Sequence, residues 1–145
     1  MTEIKLKKLT DTATIPTYGS QYSAGCDLYS DEGIEVTIPP HQSVLIHTGI
    51  AVEIPVGYVG LIYARSGLAC KRNLAPANKV GVIDSDYRGE LMVSLHNHSD
   101  VVQKIVNNER IAQMVITPYL TANFVEVDEL EVTARGEGGF GSTGK

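Results

Sequence analysis

Ile34-Glu35-Val36-Thr37-Ile38 alternates apolar and polar residues without a break and stops at Pro39-Pro40. A period of two is the mark of a half-buried strand, and proline cannot donate to a continuing ladder. The same pattern repeats on both sides. Val44-Leu45-Ile46 leads to Gly49, and Ile50 to Ile54 stops at Pro55. Val59 to Tyr63 follows Gly57, Leu91 to Leu95 follows Gly89, and Ile111 to Thr117 ends at Pro118. Phe124 to Val127, after Thr121-Ala122-Asn123, is expected to add a further strand. Strands this short, closed by turns this frequent, predict a single all-β domain: an antiparallel sandwich, barrel or jelly roll.

One stretch departs from this pattern. Ser66-Gly67-Leu68-Ala69-Cys70-Lys71-Arg72 reads as a short helix, with Ser66 as its N-cap and the basic pair complementing the dipole at its end. Asn73 follows, a residue that tolerates the left-handed conformation ending a helix. From Arg135 to Lys145 the chain is RGEGGFGSTGK, with five glycines and no aliphatic side chain. Such composition cannot hold one conformation by itself. The expected division is therefore a β-rich domain over residues 1–134 and a mobile tail over 135–145.

Composition narrows the function classes. The chain has 145 residues, 43% hydrophobic and 20% charged, enough for one real core. A net charge of −5 argues against a nucleic-acid surface, which needs a clustered basic face. No apolar run is long enough to span a membrane as a helix, and Met1-Thr2-Glu3-Ile4-Lys5 carries no targeting signal. Cys26 and Cys70 form no C-x-x-C pair, which points to reduced thiols in a cytoplasmic or other reducing compartment. One disulfide in a secreted protein is the alternative.

Four places gather polar residues that strands and turns do not need. Gly81-Val82-Ile83-Asp84-Ser85-Asp86-Tyr87-Arg88-Gly89-Glu90 lies between two strand-like runs and reads as a hairpin. Asp84 is either a turn residue or a carboxylate at a strand end that activates a water. Arg65 and Ser66 open the helix: either an ordinary capped helix with a surface arginine, or a phosphate site. The tail matches the spacing G-x-x-x-x-G-K, but it lacks the strand before and the Ser/Thr and helix after that a P-loop needs. Its glycines could still let backbone N–H groups approach a phosphate, with Arg135 as a charge and Phe140 as a stacking face; an unstructured terminus is the other reading. Ala24-Gly25-Cys26-Asp27-Leu28, taken alone, reads as a turn. His96 and His98 alternate and so share a strand face, but two histidines make no metal site.

Taken together these segments resemble the trimeric dUTP pyrophosphatase (dUTPase) family. Its five short motifs occur in order: AGCDLYS from Ala24, ARSGLA from Ala64, GVIDSDYRGE from Gly81, ERIAQMVI from Glu109 and RGEGGFGSTG from Arg135. The resemblance implies a jelly-roll subunit in a homotrimer whose three active sites are shared between chains. It implies hydrolysis of dUTP to dUMP and pyrophosphate, which limits uracil in DNA and supplies dUMP for thymidylate synthesis. By the same resemblance Asp84 activates the water that attacks the α-phosphorus. Tyr87 packs on the deoxyribose and leaves no room for a 2′-hydroxyl, while Asn78, Gly81, Val82, Ile83 and Met92 shape the nucleoside pocket. Arg65, Ser66, Gly67 and Gln113 hold phosphate oxygens; Arg135 reaches the γ-phosphate, and Phe140 with Gly141 closes over the uracil. Mg²⁺ is implied as the cofactor, bound mainly by substrate phosphates, with Asp27 acting on it through water. The departures are small: Asn73 where many relatives have glycine, Met114 for a more usual leucine, and Cys26 at a variable position. Two rivals are a dCTP deaminase of similar fold, which uses a glutamate in its base pocket, and a nucleotide-switched binding or signalling protein.

Overall fold

The computed structural model describes residues 2–141. Ser142, Thr143, Gly144 and Lys145, the end of the tail motif, lie outside the described residues. Among the described residues there are eleven strands and one helix. A five-stranded sheet has the order β2 (Thr17–Tyr18), β3 (Gly25–Tyr29), β11 (Arg110–Pro118), β6 (Tyr58–Tyr63), β8 (Gly81–Ile83). A four-stranded sheet has the order β1 (Lys5–Lys8), β5 (Ser43–Glu53), β9 (Glu90–Asn97), β7 (Leu74–Pro76). A two-stranded ribbon pairs β4 (Val36–Ile38) with β10 (Gln103–Ile105). All pairings are antiparallel, and the sheets form a jelly-roll sandwich with no closed barrel.

The alternation that predicts these strands also packs them. On β9, Leu91, Val93 and Leu95 point inward, while Met92 points out. They meet Ile46 and Ile50 of β5, Leu28 of β3, and Ile111 and Met114 of β11 in one buried cluster. Burying each such side chain contributes about 1.5–3 kcal/mol. Asn97 is fully buried, but its amide donates to the carbonyls of Ile38 at 3.0 Å and Val101 at 2.8 Å, so no polar atom is stranded. No helix among these residues is long and apolar enough to cross a membrane.

Several expectations need correction. Val44–Ile46 and Ile50–Ile54 do not form two strands. Gly49 adopts φ +65° and bends one continuous β5, with a register shift against β9 between His47 and Ala51. Ala24–Leu28 is no turn, because β3 is clamped between β2 and β11. Phe124–Val127 is not a strand: no strand pairs with it, and Phe124 and Val125 face solvent. The segment Gly81–Glu90 is not a hairpin. Its flanking strands belong to different sheets, β8 pairing with β6, and β9 with β5 and β7. It is an arch from one layer to the other. Ser66 is the first helical residue of α1 (Ser66–Arg72), and the N-cap is Arg65, which makes no capping bond with its side chain. The helix ends as expected, with Asn73 at φ 53°.

Candidate active site

One row of side chains crosses the five-stranded sheet. Asp27 on β3 pairs in register with Gln113 on β11, and Gln113 with Tyr63 on β6. Residues in such a row share a face, and their neighbours Cys26, Met114 and Ile62 occupy the opposite, core-facing row. Beyond Tyr63 the chain turns into α1, so Arg65, Ser66 and Gly67 arrive beside this row. Gln113 Nε2 donates to the Ala64 carbonyl at 2.9 Å and ties that crossover down. Opposite it, Gly25 leaves the space that Gln113 occupies: a Cβ there would lie 2.6 Å from Gln113 Oε1.

Together these residues line a cleft of about 620 Å³. Its charge is organised around Asp27, which is only 9% exposed. Arg65 Nε donates to Asp27 Oδ1 at 2.7 Å, and Arg110 reaches Oδ2 at 3.4 Å. Two guanidinium groups therefore converge on one carboxylate, with the uncapped first turn of α1 beside them. Such a cleft suits an anion with several oxygens. Arg110 is a member of it that the sequence reading missed. Its position directly after Glu109 in the fourth motif was the available signal.

A second group lies elsewhere. Asp84, at the end of β8, shares a groove of about 220 Å³ with Val82, Ile83, Tyr87, Glu90 and Met92. Asp84 and Tyr87 are exposed, and the Tyr87 N–H donates to the Asp84 carbonyl at 3.2 Å, a turn that sets the two side chains side by side. Asn78, Gly81, Val82, Ile83 and Met92 also surround an adjoining hollow of about 120 Å³. Gly81 is in close quarters there: an added Cβ would sit 3.3 Å from Ile62 Cβ and 3.5 Å from Asn78 Nδ2. The residues expected around the nucleoside thus lie together, as do Arg65, Ser66, Gly67 and Gln113 of those expected at the phosphates, but not Arg135. Among the described residues none lines both clefts.

The described part of the tail, as far as Gly141, joins neither group. Arg135 donates to the Gly138 carbonyl at 2.8 Å, Phe140 is fully exposed, and Gly141 sits at φ 90°. A single chain therefore holds three separated parts: a cationic cleft, a carboxylate groove and an unattached aromatic tail.

A divalent cation bound by substrate phosphates fits this set. No three His, Cys, Asp or Glu side chains cluster as a metal cage among the described residues, and both Asp27 oxygens already face arginines. Mg²⁺ needs no such cage, because it keeps waters and binds phosphate oxygens. His96 and His98 stand with ring centres 4.4 Å apart, and His96 Nδ1 also meets Ser43 Oγ at 2.9 Å, so the pair is accounted for without a metal. Both cysteines are free; Cys26 is buried, and that burial pushes its thiol pKa up, so it is a core group and a poor nucleophile.

Comparison with known proteins gives a consistent answer. A family model described as dUTPase matches residues 11–144. The deoxyuridine 5′-triphosphate nucleotidohydrolase of Nautilia profundicola is 51% identical, over 99% of both chains. The protein of the same name from Escherichia phage T5 is 49% identical over 94% of this chain and 96% of that one. Among solved structures, the Staphylococcus bacteriophage 80alpha dUTPase G164S mutant with dUpNHpp superposes with a TM-score of 0.91 at 31% identity, covering all of both chains.

Proposed function

The chain belongs to the dUTPase family and hydrolyses dUTP to dUMP, and we propose that it does so by water attack on the α-phosphorus, prepared by Asp84. The observation that carries this reading is the pairing of Asp84 with Tyr87 in one groove, apart from a cleft built for phosphate. The base and sugar lie in the groove of Tyr87, Met92, Asn78 and β8. The phosphates lie against Arg65, Ser66, Gly67, Gln113 and Arg110. Asp84 then faces the junction between sugar and phosphate chain. It orients a water and takes its proton as the new P–O bond forms; the bond to the bridging oxygen breaks, and pyrophosphate leaves.

Enzymes of this family use a divalent metal, and Mg²⁺ is our specific assignment. When bound it would neutralise the triphosphate and fix its shape. Asp27 would reach it through water while continuing to hold Arg65 and Arg110. This also accounts for a polyanion binding to an acidic chain, since local cations outweigh net charge at such a site.

The active unit is a homotrimer. The phosphate cleft, the Asp84 groove and the tail are complementary but apart within one chain, so copies must complete one another's sites. Arg135 is assigned to the γ-phosphate, and Phe140 with Gly141 to the uracil. The segment that begins at Arg135 acts as the closing segment for the domain spanning 1–134. Light scattering tests the assembly, with a mass near three chains expected and a monomer contradicting it. Hydrolysis in ¹⁸O-labelled water tests the chemistry. Label in dUMP is expected; label in pyrophosphate would move the attack to the β-phosphorus and remove Asp84 from its role.

A further inference from the structure

Tyr87 is 40% exposed, yet its ring is not free. Its hydroxyl donates to the Glu90 carbonyl at 3.0 Å, so the ring folds back across Gly89. A Cβ at position 89 would lie 2.6 Å from Tyr87 Cζ and 3.0 Å from Cε2. The usual reason for a glycine is absent, because Gly89 is not among the residues with positive φ. The left-handed φ that excludes a side chain elsewhere is therefore not what keeps glycine here. The three heavy atoms nearest to that position all belong to the Tyr87 side chain.

The acceptor of the hydroxyl bond is itself fastened. Glu90 Oε1 accepts the Gly49 N–H at 2.8 Å, and Glu90 Oε2 meets His47 Nδ1 at 2.9 Å. Both partners lie at the bend of β5, so the start of β9 is clipped to its neighbour beyond the ordinary ladder. The ring thus has a floor at Gly89 and a fixed bond at Glu90. Excluding one hydroxyl group by shape needs such rigidity, since a wall that can retreat discriminates weakly.

We propose that Gly89 and Glu90 form a seat for the Tyr87 ring, and that this seat sets the rejection of ribonucleotides. Gly89 and Glu90 are positioning residues here, acting through Tyr87. The inference rests on the reading of Tyr87 as the wall against the 2′-hydroxyl, and the experiment separates the two. kcat/KM for dUTP and for UTP with Mg²⁺ is measured for the wild type, Gly89→Ala, Tyr87→Ala and the double variant, with thermal melts as a check on folding.

Gly89→Ala is expected to raise UTP use relative to dUTP by about tenfold or more. Tyr87→Ala should do likewise. In the Tyr87→Ala background the alanine at 89 should change nothing further, because no ring remains to be displaced. Tyr87→Phe, which deletes only the hydroxyl bond to Glu90, should shift the ratio in the same direction, and it stands in if Gly89→Ala does not fold. A ratio unchanged in Gly89→Ala and Tyr87→Phe but relaxed in Tyr87→Ala overturns the seat and leaves the Tyr87 reading intact. A ratio unchanged in Tyr87→Ala overturns both. Equal loss of both substrates in Gly89→Ala, with a lowered melting temperature, would make Gly89 merely structural and also overturns the seat.

Discussion

Up to Pro118 the chain satisfies itself; beyond Pro118 it does not. Residues from Lys5 to Pro118 contribute every strand of the two sheets and the ribbon among the described residues, and the buried core cluster is drawn from them. From Tyr119 to Gly141 there is no strand and no helix among the described residues. Leu120, Phe124, Leu130 and Val132 stand in solvent. A chain that exposes such residues without packing them gains nothing from them alone. The difference separates two kinds of active-site part. Asp27, Arg65, Gln113, Asp84 and Tyr87 are set by ladders and turns of their own chain. Arg135 is held by the tail's own Gly138 carbonyl, and Phe140 stands in solvent.

Groups fixed by the fold should fail sharply when one atom changes, and groups on the arm should fail by degrees with the fold untouched. The largest expected effect is Asp84→Asn, which should cut kcat by about 10²–10⁴ while a non-hydrolysable dUTP analogue still binds. Turnover close to wild type in a stopped-flow pyrophosphate assay would end the assignment. Next comes the contrast between two leucines. Leu95→Ala, in the core with no exposed surface, should cost about 2–5 kcal/mol in urea unfolding. Leu130→Ala, 85% exposed, should cost under about 0.5 kcal/mol in dilute protein. A Leu130 penalty that grows with protein concentration would place the arm in a subunit contact and sharpen the comparison. Phe140→Ala should weaken transition-state closure by roughly 1–3 kcal/mol, read in kcat/KM, with the melting temperature unmoved. Removing everything after Ala134 should do at least as much; unchanged kinetics would show the tail idle.

The smallest effect concerns pH. The hydrogen bond to Glu90 raises the pKa of His47 in the folded protein. Burial pushes Glu90 up, but hydrogen bonds from His47 and Gly49 outweigh it and leave Glu90 lowered. A raised histidine adds stability below its ordinary 6.5 and loses it as pH climbs through the folded value. A lowered glutamate adds stability above its ordinary 4.5 and loses it as pH falls through the folded value. The clip is therefore strongest between those two values. His47 is 49% exposed, so the gain is below about 1 kcal/mol. Urea melts at about pH 6 and about pH 8 should show it in the wild type and lose it in His47→Gln.

Alternation and turn residues made β4, β6, β9 and β11 legible, and the basic end with Asn73 did the same for α1. Pattern alone failed where the partner decides. Gly25–Tyr29 becomes a strand because β11 and β2 lie beside it. Phe124–Val127 has comparable local character and stays unpaired. The same limit hid the arch at Gly81–Glu90, since turn chemistry does not say which sheet receives each flank. The motifs named the residues of both clefts, yet a motif gives no distances. Arg110 belongs to the cleft because β11 lies beside β3 and brings its guanidinium to Asp27, a pairing of distant segments that no motif encodes.

The carboxylate of Asp27 has a consequence for binding that concerns freedom of movement. A free arginine side chain carries about 2 kcal/mol of rotamer entropy, which a ligand must remove on capture. Asp27 of the same chain holds Arg65 at 2.7 Å and meets Arg110 at 3.4 Å. Arg65, the more buried of the two, gives up most of its freedom to this pairing, a loss taken once during folding and not again at every turnover.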